Sequence, residues 1–341
     1  MLHRLNKRFS SNNNHSPHTQ SNYRTLLHPL IIFICLFLLQ IVNSQAQTTG
    51  TSGQLHKISL FAEKLGEGYY AYRMNQHIIS DMDGGNATDV TTRYSSAATI
   101  PGPTIVINEG DEVDLKLTHH FNPESTAEEQ VSVHVHGVHY DILSDGTLEY
   151  INLFKDESAT STLFYEYRWV AAPGTAGTWA YHDHNMINHN GAEDKGLFGA
   201  VIVNKKSSNV DINLGGQKNS VPLSSIQKDY VLYMLDDTFV GTEIDSATGQ
   251  QIYLGVNPAF SAQKDTNVRF HIIALGTNLH TFQLANYGWI DPGTSNVISE
   301  KALGPLEKHV FTVKADASST YKDTTLSSSL LGIKGSFNVH P

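Results

Sequence analysis

Beyond residue 57 the apolar positions recur with a period of two in short runs, and almost nowhere with the 3.6-residue period of a helix. Residues 58–63 (Ile-Ser-Leu-Phe-Ala-Glu) and 104–108 (Thr-Ile-Val-Ile-Asn) read as strands, and 113–118 (Val-Asp-Leu-Lys-Leu-Thr) alternates like a half-buried one. Further strand-like runs cover 131–135, 161–170, 178–182 and 197–203, and later 230–234, 268–273, 280–284 and 309–313. Turn signals separate them, among them Asp83-Gly-Gly-Asn, Pro101-Gly-Pro and Glu109-Gly-Asp. Many short strands punctuated by Gly and Pro predict an all-β sandwich or barrel.

The pattern divides the chain in two. A first β-rich domain is expected over 54–204, a polar Gly/Ser-containing linker over 205–228, and a second β-rich domain over 229–341. The two blocks echo one another. Asn108-Glu-Gly-Asp-Glu-Val parallels Gln263-Lys-Asp-Thr-Asn-Val, and Gly196-Leu-Phe-Gly-Ala-Val parallels Leu331-Gly-Ile-Lys-Gly-Ser-Phe, which suggests a duplicated sandwich unit.

The N-terminus reads differently. Arg4, Lys7, Arg8 and Arg24 precede an apolar run from Leu30 to Leu39, and Ser44-Gln-Ala46 resembles a small-residue cleavage site. This is the pattern of a signal peptide over 1–46 and of a secreted or extracytoplasmic protein; the membrane becomes a partner only if the segment stays uncleaved. Beyond residue 46 the chain has 19 Lys and Arg against 33 Asp and Glu, a net charge of about −14 that argues against nucleic acid as a partner. Cys35, the only cysteine, lies in the leader, so the remainder has neither thiol nor disulfide.

The candidate chemistry is in two histidine pairs, His134-Val-His136 and His182-Asp-His184. On a strand the two histidines of each pair share a face, so two neighbouring strands would present four imidazoles to one space. Neutral imidazole without thiolate or paired carboxylate favours copper or zinc. Asp183, Trp179 and Tyr181 alternate to the other side; Asp183 is expected to support the ligands, and the two aromatics to fill the core. His139 and His189 are expected outside the site, and His119-His120 in solvent. A cupin reading would also use an H-x-H pair, but no glutamate follows it, and Gly137-Val-His-Tyr-Asp offers only Asp141.

Taken together, Ile100-Pro-Gly-Pro-Thr, Asn108-Glu-Gly-Asp, His134-Val-His-Gly-Val-His-Tyr-Asp, Ser144-Asp-Gly-Thr and Pro173-Gly-Thr-Ala-Gly-Thr-Trp-Ala-Tyr-His-Asp-His resemble the first domain of the multicopper oxidases, and within them the small two-domain laccases. The resemblance implies two cupredoxin-like Greek-key β-sandwich domains and copper as cofactor. It implies His134 as a type 2 ligand and His136, His182 and His184 as type 3 ligands of a trinuclear cluster. In that family a type 1 copper bound by cysteine and histidine passes electrons to the cluster, and in the two-domain laccases the cluster is shared across subunits in a homotrimer.

The second block departs from the family pattern. His280 matches a type 1 histidine, but Gln283 and Ala285 stand where cluster histidines are expected, and residues 314–331 contain neither histidine nor cysteine. A thiolate-bound copper cannot be built without a cysteine. Three readings remain open: a copper-binding protein that is no laccase by itself, an oxidase completed by a heteromeric partner subunit, or a non-catalytic cell-surface interaction protein.

Overall fold

The computed structural model describes residues 53–66, 68–120, 130–147, 164–185, 195–205 and 208–341. The expected leader, the cleavage site and His189 lie outside these residues. Among the described residues nine strands form the first sandwich: β1 (Gln54–Gly66), β2 (Tyr69–Asp81), β3 (Thr88–Asp89), β4 (Thr104–Asn108), β5 (Glu112–His119), β6 (His134–Val135), β7 (Phe164–Val170), β8 (Gly177–His182) and β9 (Phe198–Asn204). One sheet has the order β3-β2-β1-β5-β7 and the other β4-β9-β8-β6. Alternation decides which side chains go inward. In β5, Val113, Leu115 and Leu117 are buried, and His119 continues in phase with them and is buried too, contrary to its expected exposure; its neighbour His120 is exposed. Tyr181 and Trp169 complete this core.

The second sandwich uses β10 (Asn209–Leu214), β11 (Gln217–Pro222), β12 (Ile226–Met234), β13 (Phe239–Asp245), β14 (Gln251–Val256), β15 (Ala259–Gln263), β16 (Asn267–Ala274), β17 (His280–Leu284), β18 (Trp289–Ile290), β19 (Val297–Ile298), β20 (Glu300–Leu303), β21 (Lys308–Lys314), β22 (Ser319–Asp323) and β23 (Lys334–His340). Its main sheets have the orders β11-β10-β21-β16-β12-β13-β14 and β15-β23-β22-β17-β20. A short helix, α1 (Leu326–Leu331), precedes the last strand. Packed aromatic rings fill the core, with Phe270 and Phe311 stacked at 5.2 Å and Trp289 on Phe311 at 4.2 Å.

The stretch 205–228, expected as a linker, contains the hairpin β10–β11 and the start of β12. Ile212 of β10 is buried and pairs with Thr312, so this segment is part of the second sandwich. Its residues are polar because most of the hairpin faces solvent at the sheet edge.

The two sandwiches repeat one topology. β1 runs antiparallel to β2 and parallel to β5, as β12 does to β13 and β16. β4 runs parallel to β9, as β15 does to β23. By this correspondence the pair β6–β8 is equivalent to β17–β22.

Apolar side chains of β8 and β9 (Ala180, Phe198, Ala200, Ile202) pack on Val231, Tyr233, Val240, Ile244 and Ile273 of the second sandwich. Polar links reinforce the seam. The Gln251 amide pairs with both backbone groups of Thr104, at 3.0 and 2.6 Å. The Thr178 hydroxyl donates to His271, whose other nitrogen donates to Asp229 at 3.0 Å, and Arg269 bridges Asp229 and Asn204. Burial pushes Asp229 up, but Arg269 and His271 outweigh it and hold the carboxyl well below the usual range.

Candidate metal centre

His134 and His182 are direct cross-strand partners in the antiparallel pair β6–β8. The ladder continues past β6 through the His136 amide, which donates to the Ala180 carbonyl at 3.0 Å. His184 lies just beyond β8, its amide bonded to the Ser132 hydroxyl at 3.2 Å. All four expected histidines therefore come together. The His134 ring centroid lies 4.7, 5.6 and 5.3 Å from those of His136, His182 and His184. One ring nitrogen from each of His134, His136 and His182 lies within 4.8 Å of the other two, a group that could hold a metal ion.

Hydrogen bonds fix the tautomers. His134 donates from Nδ1 to the Asp145 carbonyl at 2.6 Å, and His182 donates from Nδ1 to the Asp183 carbonyl at 2.8 Å. Each ring is left with a lone pair on Nε2, the arrangement found when imidazole binds a metal and its other N–H is held by a carbonyl. The Nε2 atoms of His136 and His182 approach to 3.1 Å. Metal–imidazole bonds of about 2.0–2.1 Å place two neighbouring ligands of one ion roughly 2.9–3.3 Å apart, so this gap fits a shared ion. Burial, followed by the neighbouring rings and Lys308, lowers His136 to about 4. Burial also lowers His182 to about 4, against the opposing bond to Asp183. Both rings are neutral, and therefore competent to ligate, at neutral pH.

The surrounding residues explain this placement. The Asp183 carboxylate points to the opposite side from its flanking histidines and accepts the Ser132 amide at 2.8 Å, pinning the segment that leads into β6. Gly146 turns the Ser144-Asp-Gly-Thr loop at φ +78°; a Cβ there would stand 2.0 Å from the Val133 carbonyl oxygen. Gly137 has φ +70°, and its missing Cβ makes room for the Trp179 ring, which would be 1.8 Å away. Tyr181 is in the core as expected, but Trp179 is only half-buried. It packs between Gly137 and the second sandwich, whose Lys308 ammonium sits 3.7 Å above its ring.

The remaining sequence candidates separate cleanly. His139 is exposed and bridges by its backbone to Val170. The Asp141 carboxylate caps the 3-10 turn Ile142–Ser144 by accepting the Leu143 and Ser144 amides. Asp145 and Lys308 are the contributors that histidine spacing does not reveal, although Asp145 lies in the Ser144-Asp-Gly-Thr motif.

In the second sandwich His280 is 1 % exposed and donates from Nδ1 to Asp323 at 2.7 Å. Gln283 lies on the same strand, 3.5 Å from Glu300, and Ala285 follows the end of β17. These positions supply no imidazole cluster to match the first.

Residues 82–208 match the family model described as multicopper oxidase. The match runs from β3 to β9 of the first sandwich and does not extend into the strands of the second. Among curated proteins the chain is 27 % identical over 223 residues to a probable nitrite reductase-hydroxylamine oxidoreductase fusion protein of Kuenenia stuttgartiensis, covering 62 % of this chain and 24 % of that one. It is 29 % identical over 129 residues to copper resistance protein A of Escherichia coli, covering 36 % and 18 %. The chain thus spans a quarter or less of the length of these relatives. The copper nitrite reductase of Nitrosomonas europaea has the same fold, with a TM-score of 0.54 at 14 % identity over 84 % of this chain and 94 % of that one.

Proposed function

We propose that this chain is an exported copper-binding protein of the multicopper oxidase family that holds copper through His134, His136, His182 and His184. The observation that carries the reading is the convergence of the His136 and His182 Nε2 atoms at 3.1 Å, beside the carbonyl-anchored His134. An all-imidazole donor set suits copper, and the names of the copper resistance protein and the copper nitrite reductase support that choice over zinc. Copper held there would supply a one-electron redox centre. The protein's own part is to keep His136 and His182 neutral by burial, to orient His134 and His182 through the Asp145 and Asp183 carbonyls, and to brace the strand with Asp183 and Ser132.

The same reading withholds laccase turnover from the isolated chain. Cys35 is the only thiol and lies in the proposed leader, and Gln283 and Ala285 stand where further imidazoles would be needed. Copper loading followed by metal analysis and electron spin resonance tests the proposal. Bound Cu(II) with nitrogen hyperfine structure, lost in H134A/H182A, supports it; wild-type copper content in that variant contradicts it.

A further inference from the structure

The strand pair equivalent to β6–β8 in the second sandwich carries a different pair of residues. In the first sandwich β6 and β8 bring His134 opposite His182. In the second, β17 and β22 bring His280 beside Asp323. The Asp323 carboxylate takes the Nδ1 proton of His280, fully buried, and also accepts the backbone amides of Thr281 and Thr325. This fixes the ring with its lone pair on Nε2.

That Nε2 atom is buried, and among the described residues no hydrogen-bond partner reaches it. Such atoms are rare in folded proteins because leaving one unpaired is costly. The nearest carboxylate is Asp236, whose Oδ1 lies 3.6 Å away. This is too long for a hydrogen bond. It is the right separation for two ligands of one ion, since nitrogen and oxygen donors about 2.0–2.2 Å from a metal and 3.6 Å from each other subtend roughly 120°. Asp236 is held in place: its Oδ2 accepts the Thr277 hydroxyl at 2.6 Å and its Oδ1 accepts the Asn278 amide at 3.0 Å. Its side chain is 33 % exposed, which leaves an open side for water ligands.

We propose that the second sandwich has its own mononuclear site for a divalent transition-metal ion, ligated by His280 Nε2 and the Asp236 carboxylate. Asp323 acts as the positioning residue that orients the imidazole. The site contains no thiolate and is independent of the four-histidine centre. Its donors, one imidazole and one carboxylate, suit zinc.

Zinc titration of the full chain by calorimetry, with zinc analysis after dialysis, tests the proposal in a background where His134, His136, His182 and His184 are replaced by Gln. One zinc per chain is expected. D236N and H280Q should each weaken it at least about tenfold, and D323N about 10- to 100-fold through the loss of orientation. If the multiple variant does not fold, the comparison is made with single substitutions in the otherwise native chain, where D236N should bind one zinc fewer than wild type. Equal zinc content in wild type, D236N and H280Q overturns the proposal. So does a D236N protein that is destabilised with unchanged zinc content, because Asp236 then only supports the fold. Loss of copper at the first centre with retention of this zinc would separate the two sites.

Discussion

The Nε2 atoms of His136 and His182 face each other across 3.1 Å while the Nδ1–H of His182 is taken by a backbone carbonyl. Two strands, each contributing alternate residues, build this convergence. A metal site prepared in this way gains affinity because the ligands need little reordering on binding. H182Q should therefore lower copper affinity by well over tenfold, whereas H139Q, at an exposed position outside the cluster, should leave it unchanged. Competitive titration against a chelator of known affinity measures both.

Lys308 places a cation near the cluster and contributes to the lowered basicity of His136. Replacing it by Met removes repulsion toward a bound cation of roughly 0.5–1 kcal/mol, equivalent to a two- to fivefold gain in copper affinity. The gain should shrink as salt is raised, a dependence that titrations at low and high ionic strength would detect.

Gly137 should tolerate no side chain. G137A meets the Trp179 ring and forces a left-handed backbone on an L-residue, so a loss of about 2–4 kcal/mol is expected in urea unfolding. The Ala variant should also lose copper, because the turn directly follows His136.

Acid should destabilise the apoprotein in two stages. Burial lowers His77 to about 3, with His56 and Arg93 adding to the effect, and burial lowers His309 to about 4. Below pH 6.5 the unfolded chain takes up protons at these positions that the folded chain refuses. Their contribution is therefore complete above that pH and falls by as much as roughly 1.4 kcal/mol per pH unit for each group, until the folded values are reached. The carboxyl of Asp229, held low by Arg269 and His271, adds a second loss below the ordinary carboxylate range. Urea midpoints between pH 8 and pH 4 would trace the first stage and an extension to pH 2 the second, and H77F should flatten the first.

Asp229 also ties the seam. D229A leaves the Arg269 guanidinium buried without its carboxylate and the His271 link broken, which should cost about 3–5 kcal/mol. Differential scanning calorimetry would show the loss as a lower Tm.

How much of this was legible in the sequence depended on burial. The alternation of Val113, Leu115 and Leu117 gave β5 directly, and carried one step further it also predicts the buried His119 that was expected in solvent. β2 was not legible, because Arg73, Asn75, Gln76 and His77 interrupt its apolar pattern where β1 shifts register between Ser59 and Leu60. The hairpin β10–β11 read as a linker since only Ile212 is buried among mostly solvated residues. The four histidines were legible because their period-two spacing survives in the structure. Trp179 packs against the expected core but is only half-buried, because alternation gives the face a residue takes and not that Lys308 of the second sandwich sits over its ring.

The copper centre proposed for this chain is made of imidazoles alone. The most direct measurement is the copper content and the absorption and spin-resonance spectra of the purified, copper-loaded full chain, alongside H134A/H182A. Stoichiometric Cu(II) with nitrogen ligation and no intense blue thiolate band is expected, with copper loss in the variant. An intense blue band, or a wild-type chain that folds but retains no copper, would contradict it.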